Sequence, residues 1–171
     1  MLILVESSFT KKFVERILGK MSISAKIEVK SRPGVRPCDH RLGRIVKLYS
    51  TSPRESGKYC KIVIIVDGDG REVKHIQQAV LEHLEESGQS VIRVVVLDYE
   101  IEEWVCDSLG VKYGQYRMPK EELRHYLRSK KGKEYRPRDL PKYADLVDPK
   151  KLKEINRSFR ELVGMIYNEN E

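Results

Sequence analysis

Cysteine, tryptophan and long apolar runs are scarce in this chain, and each scarcity narrows what the protein is. The three cysteines, Cys38, Cys60 and Cys106, are odd in number and far apart, which argues against both a disulfide framework and a zinc clamp. Cys38-Asp39-His40 is a short candidate metal pair, although isolated residues of this kind more often serve structure. No apolar run exceeds five residues, so nothing reads as a membrane span, and the opening stretch reaches Glu6 without a basic leader. Cytoplasmic localisation without a membrane partner is therefore the expectation. A chain of 171 residues with 40% hydrophobic content suits one domain that buries its core without disulfides. There is no internal repeat, heptad array or low-complexity tract.

What is present is a set of acidic residues placed where apolar strands run out. Leu2-Ile3-Leu4-Val5 ends at Glu6, Ile62-Val63-Ile64-Ile65-Val66 ends at Asp67-Gly68-Asp69-Gly70, and Val94-Val95-Val96-Leu97 ends at Asp98-Tyr99-Glu100-Ile101-Glu102. Continuous Ile, Val and Leu runs of this length read as strands buried on both faces, the mark of a parallel sheet covered by helices. The carboxyl ends of such strands share one edge, where ligands bind. Carboxylates gathered there repel one another unless a cation sits among them, and an oxygen-rich set suits Mg2+ or Mn2+. Asp67, Asp69, Glu100 and Glu102 are thus the candidate metal ligands. Gly68 is expected to turn the chain so that both aspartates face one cation, and Gly70 to leave the backbone open to a phosphate.

The charge pattern agrees with such a site. Net charge is +7, composed of +8 over residues 1–60, −7 over 61–110 and +6 over 111–171. An acidic centre between basic flanks is what a protein would carry if it seated metal in the middle and drew a phosphate backbone to the rim. Soluble proteins also carry Lys and Arg simply to stay in solution. The candidate backbone contacts are Arg36, Arg41 and Arg44 of a basic, Pro- and Gly-broken insertion over 31–57 that also holds Arg54, then Arg71, and Lys130, Lys131 and Lys133 of a basic loop. DNA or RNA is the expected partner. Arg71 has Glu72 and Glu100 as alternative partners.

Helical signals fill the remainder. Thr10 reads as an N-cap before Phe13, Val14, Ile17 and Leu18, with Gly19 as the stop. A second strand is expected over Ala25 to Val29 and a short helix near Leu42 to Tyr49. Another helix is expected over Glu72 to Ser87, closed by Gly88, with Val73, Ile76, Val80 and Leu84 inward. A helix from about Glu100 would bury Trp104, Val105 and Leu109 and carry Glu100, Glu103 and Asp107 on one acidic face. Pro119 opens a further helix with Leu123, Tyr126 and Leu127 inward. Asp148-Pro149 starts one that runs through Leu152, Ile155, Phe159, Leu162, Val163 and Ile166. His75 and His83 read as surface residues. The α/β core therefore spans 1–110, and 111–171 is a C-terminal helical extension.

Glu6 after the first strand, together with Asp67-Gly68-Asp69 after a later one, resembles the Toprim domain of topoisomerases, bacterial primases and OLD-type nucleases. The stretch Tyr99-Glu100-Ile101-Glu102-Glu103-Trp104 looks like the Glu-x-Glu-x-x-Trp segment of an uncharacterised Toprim-like family near the OLD nucleases, and the tail from Lys133 to Val163 resembles that family's tail. The resemblance implies a Toprim-like parallel sheet flanked by helices and Mg2+- or Mn2+-dependent phosphodiester chemistry, most plausibly nuclease action. It implies that Asp67 and Asp69 hold metal and that Glu6 activates water or protonates the leaving oxygen. The chain departs from many Toprim sequences in having Ser7, Ser8, Phe9, Thr10 and Lys11 where a second acidic residue stands, which leaves the number of metals open. A non-catalytic nucleic-acid- or protein-binding module is the alternative, and a two-aspartate phosphatase the third reading. An EF-hand is excluded by Arg71, Glu72 and Gln78, and a topoisomerase by the lack of room for a strand-passage domain.

Overall fold

A computed structural model of the chain describes residues 1–50, 59–84, 91–114 and 116–167. Four strands, β1 (Leu2–Val5), β2 (Glu28–Ser31), β3 (Ile62–Val66) and β4 (Ile92–Val96), form one sheet in the order β2-β1-β3-β4. Every pairing is parallel, with Leu2 opposite both Glu28 and Ile62, and Ile62 opposite Ile92. The fold is α/β, as the apolar runs predict.

The strands alternate between two cores. Ile3, Val5, Val63, Ile65, Val95 and Leu97 point to one face, into a cluster with Phe13, Trp104 and Phe159. Leu2, Leu4, Ile62, Ile64, Ile92 and Val94 point to the other, packing with Val46, Ile76 and Val80. Complete burial of each such Ile, Leu or Val contributes about 1.5–3 kcal/mol relative to exposure. Helix α1 (Ser8–Leu18) lies on the first face, and α2 (Leu42–Ser50) and α3 (Val73–Glu82) lie on the second. The chain moves outward from β1 to β2, then returns across β1 to β3 over the opposite face, so the direction of winding reverses between β1 and β3. At such a reversal the helices diverge and leave a crevice at the carboxyl ends of the two strands.

The extension after β4 packs on the first face as α4 (Glu103–Leu109), α5 (Pro119–Lys131), a 3-10 segment (Pro137–Leu146), α6 (Pro149–Ile155) and α7 (Arg157–Tyr167). Arg16 of α1 donates to the Pro141 carbonyl at 2.9 Å, and Lys20 donates to the Ala144 carbonyl at 2.6 Å.

Several local expectations shift. The N-cap of α1 is Ser7, whose Oγ accepts from the Thr10 N–H. Strand β2 falls on Glu28–Ser31, later than the expected Ala25 to Val29. Asp148 caps α6 as predicted, accepting from the N–H groups of Lys150 and Lys151. The long final helix breaks at Asn156, whose Oδ1 accepts from the Phe159 N–H and starts α7, leaving Ile155 half exposed instead of inward. Lys130 and Lys131 belong to the last turn of α5, which ends at Gly132 in the left-handed region (φ 58°). The expected stop at Gly88, and Arg54 with the end of the basic insertion, lie outside the described residues.

Candidate functional site

Strand ends bring the sequence-predicted carboxylates to one place. A cavity of about 660 Å³ opens at the crevice between β1 and β3, and Glu6, Asp67, Asp69, Glu100 and Glu102 all line it. Glu6 follows β1, Asp67 follows β3, and Glu100 and Glu102 occupy the turn between β4 and α4. Sixty residues of chain thus separate the first carboxylate from the second, and the parallel register of β1 and β3 brings them to one edge.

Asp67 is the centre of the group. Its side chain opens to the cavity and has no hydrogen bond or ion pair among the described residues. Its pKa is pushed up to about 8, first by burial and then by the negative charges of Glu102, Asp69, Glu100 and Glu6. The other four carboxylates are each held by a partner. Glu6 forms an ion pair with Arg36. Glu100 accepts the Lys120 main-chain N–H at 2.7 Å, with the Lys120 ammonium 3.7 Å from its second oxygen. Glu102, buried, accepts the Tyr135 hydroxyl at 2.6 Å. Burial raises the Glu102 pKa against the lowering effect of that hydrogen bond. Asp69 lies on the rim, 3.4 Å from Arg71.

The turn itself works differently from the expectation. The N–H groups of Gly68 and Asp69 both donate to the Tyr99 carbonyl at 3.0 Å, and the Gly70 N–H donates to the Asp98 carbonyl at 2.8 Å. These donors are therefore bonded to the loop after β4 and do not cradle a phosphate. The Tyr99 ring also covers Gly70, where an added Cβ would come within 2.9 Å of the ring. Glycine at 68 is required because a Cβ there would lie 2.2 Å from the Leu97 carbonyl oxygen. Asp69 takes a left-handed backbone (φ 52°) to complete the turn.

The basic candidates divide. Arg36 lines the cavity, between Val35 and Pro37, which are buried. Arg71 also lines it, but its side chain turns to Asp69 and the Gly68 carbonyl, not to Glu72 or Glu100. Arg41 is held by Asp39, donating to both carboxylate oxygens, and this keeps the Asp39 pKa far below the usual carboxylate range. Arg44 is exposed on α2, and Lys130, Lys131 and Lys133 are exposed and do not line the cavity. Lys120 and Tyr135 complete the site without having been singled out in the sequence. Phe9, partly exposed, also lines the cavity.

The expected acidic face of α4 does not exist. Glu103 is fully buried and accepts from the Tyr99 N–H, the Ser158 hydroxyl and the Asn156 amide. Trp104 is buried as predicted and donates its indole N–H to Ser158 at 2.9 Å. Glu103 thus ties the loop after β4 to the start of α7.

In donor chemistry the site fits a hard divalent cation. Its charged oxygen donors are all carboxylates, and one of them, the half-buried Asp67, has no paired counter-charge among the described residues. In the arrangement seen, no three His, Cys, Asp or Glu side chains among the described residues stand close enough to enclose a metal ion. No described helix is long and apolar enough to cross a membrane. Comparison with family models, curated proteins and solved structures finds no match for this chain.

Proposed function

We propose that this protein carries out Mg2+- or Mn2+-dependent phosphodiester chemistry on DNA or RNA, as a nuclease of Toprim-like type acting at the crevice between β1 and β3. The observation that carries the reading is the convergence of Glu6, Asp67, Asp69, Glu100 and Glu102 on one cavity, around an aspartate that has no partner among the described residues. The Toprim-like order of these residues in sequence supports it.

Asp67 and Asp69 would hold the cation, with Glu100 or Glu102 completing its surroundings. A divalent cation bound there supplies charge stabilisation at the phosphate. Glu6 would take a proton from water or give one to the leaving oxygen, which requires its release from Arg36. Once released, Arg36 would be placed to meet a phosphate oxygen, and Phe9 at the rim presents an aromatic surface to an unstacked base.

The test is cleavage of labelled single- and double-stranded DNA and RNA in Mg2+ or Mn2+, with p-nitrophenyl phosphate as the small-ester control. Cleavage that Asp67→Asn and Glu6→Gln both abolish supports the nuclease reading. Hydrolysis of the small ester alone would favour a two-aspartate phosphatase. One observation favours a non-catalytic binding module, namely the engagement of Glu6 by Arg36. Metal-dependent nucleic-acid binding without cleavage under any of these conditions would establish that alternative.

A further inference from the structure

Six carboxylates and three cationic side chains line the cavity. Asp39 is matched by Arg41, which stands outside the lining. The remaining five carboxylates face Arg36, Arg71 and Lys120, an excess of two negative charges when all five are ionised, the state a bound cation favours. That excess equals the charge of a single divalent ion.

The placement of the cations is as informative as their number. A two-ion centre places carboxylates on both sides of the scissile phosphate, with the ions roughly 4 Å apart. On the β1 side of this crevice the only strand-end carboxylate among the described residues is Glu6, and Arg36 is paired with it. Arg36 is not an arginine on a loose surface loop. Val35 before it is 2% exposed and packs in the core under α2. The Arg32 N–H donates to the Val5 carbonyl at 2.9 Å, and the Val35 N–H to the Arg32 carbonyl at 3.2 Å. The end of β1 and the strap that delivers the guanidinium are therefore fastened together. On the other side, Asp67 has no partner among the described residues, and Asp69, one residue beyond Gly68, is more than half exposed.

Resting on the metal-dependent reading above, we propose that the crevice is a single-cation centre in which the Arg36 guanidinium occupies, at Glu6, the position that a second divalent ion would take. One ion then belongs to Asp67 and Asp69, and Arg36 supplies the second positive charge from the chain itself.

Mn2+ titration followed by calorimetry, with free Mn2+ counted by electron paramagnetic resonance, tests the assignment in wild type, Arg36→Gln and Arg36→Lys. The expected result is one ion per chain in wild type and in Arg36→Lys, and two in Arg36→Gln, the second lost again in Arg36→Gln/Glu6→Gln. Circular dichroism of each variant identifies any failure to fold, and Arg36→Lys keeps the charge if Arg36→Gln is unfolded. Two ions in wild type, or one ion in a folded Arg36→Gln, would overturn the role of Arg36 and leave the metal-dependent reading standing. No bound ion in any folded protein would overturn both.

Discussion

Lys120 holds Glu100 with two groups at once, its main-chain N–H at 2.7 Å from one carboxylate oxygen and its ammonium 3.7 Å from the other. The first contact is made at the start of α5, where unsatisfied N–H groups and the helix dipole favour an anion. The C-terminal extension is thus part of the site wall. Glu100→Ala removes both contacts and should lower stability by about 1–2 kcal/mol. Lys120→Ala, which keeps the N–H, should lower it by less, because a partly exposed ion pair is worth about 0–1 kcal/mol. Urea denaturation of the two variants checks the order.

Tyr135→Phe leaves the buried Glu102 without its hydroxyl donor. The loss should be about 1–3 kcal/mol, as for other buried acceptors that lose a partner. Tyr143→Phe, one ring away in the same edge-on pair, has no hydroxyl bond of this kind to lose among the described residues and should melt close to wild type.

Without divalent cations, stability should fall as pH rises from about 4 to about 8. Asp67 binds its proton more tightly in the folded chain, where its pKa is pushed up to about 8, than in the unfolded chain, where an ordinary aspartate titrates near 3.9. The folded state therefore keeps a proton that the unfolded state has released, an advantage complete below the lower value and lost through the upper one. Thermal melts across this range, in chelator, should show a flatter profile for Asp67→Asn. An equally steep profile in the variant would place the charge strain elsewhere.

Gly68→Ala should be among the most disruptive single-methyl additions in the chain. Its Cβ would lie 2.2 Å from the Leu97 carbonyl oxygen, a backbone atom that cannot step aside. A loss of about 1–3 kcal/mol or more is expected from such overpacking. Gly164→Ala, whose Cβ would meet nothing within 4 Å, is the matched control for the denaturation midpoint.

The parts legible in the sequence were those governed by local rules. Unbroken Ile and Val runs identify buried parallel strands, and a carboxylate just past each run must lie on the shared edge, so Glu6, Asp67, Glu100 and Glu102 were placed together without any long-range information. Lys120 and Tyr135 were missed because their meaning depends on the packing of α5 and of the loop after it against the end of β4, and a lysine next to a helix-starting proline looks like any surface lysine. Glu103 was misplaced because spacing along a helix shows which residues share a face, but not that Asn156 and Ser158 await a buried carboxylate there. The break at Asn156 was hidden by apolar residues that keep helical spacing on both sides of it. Gly70 was misread because the tyrosine that covers it arrives from another strand.

The bonds from α1 to the 3-10 segment carry a consequence for synthesis on the ribosome. The apolar side of α1 emerges early, yet the carbonyl that receives Arg16 is 125 residues further along the chain. At roughly 5–20 residues per second that interval is on the order of ten seconds. Through it, Phe13 and Ile17 have to be kept from other chains while their eventual cover is still being made. Crowded translation is therefore a condition under which this fold is exposed to aggregation before it is complete.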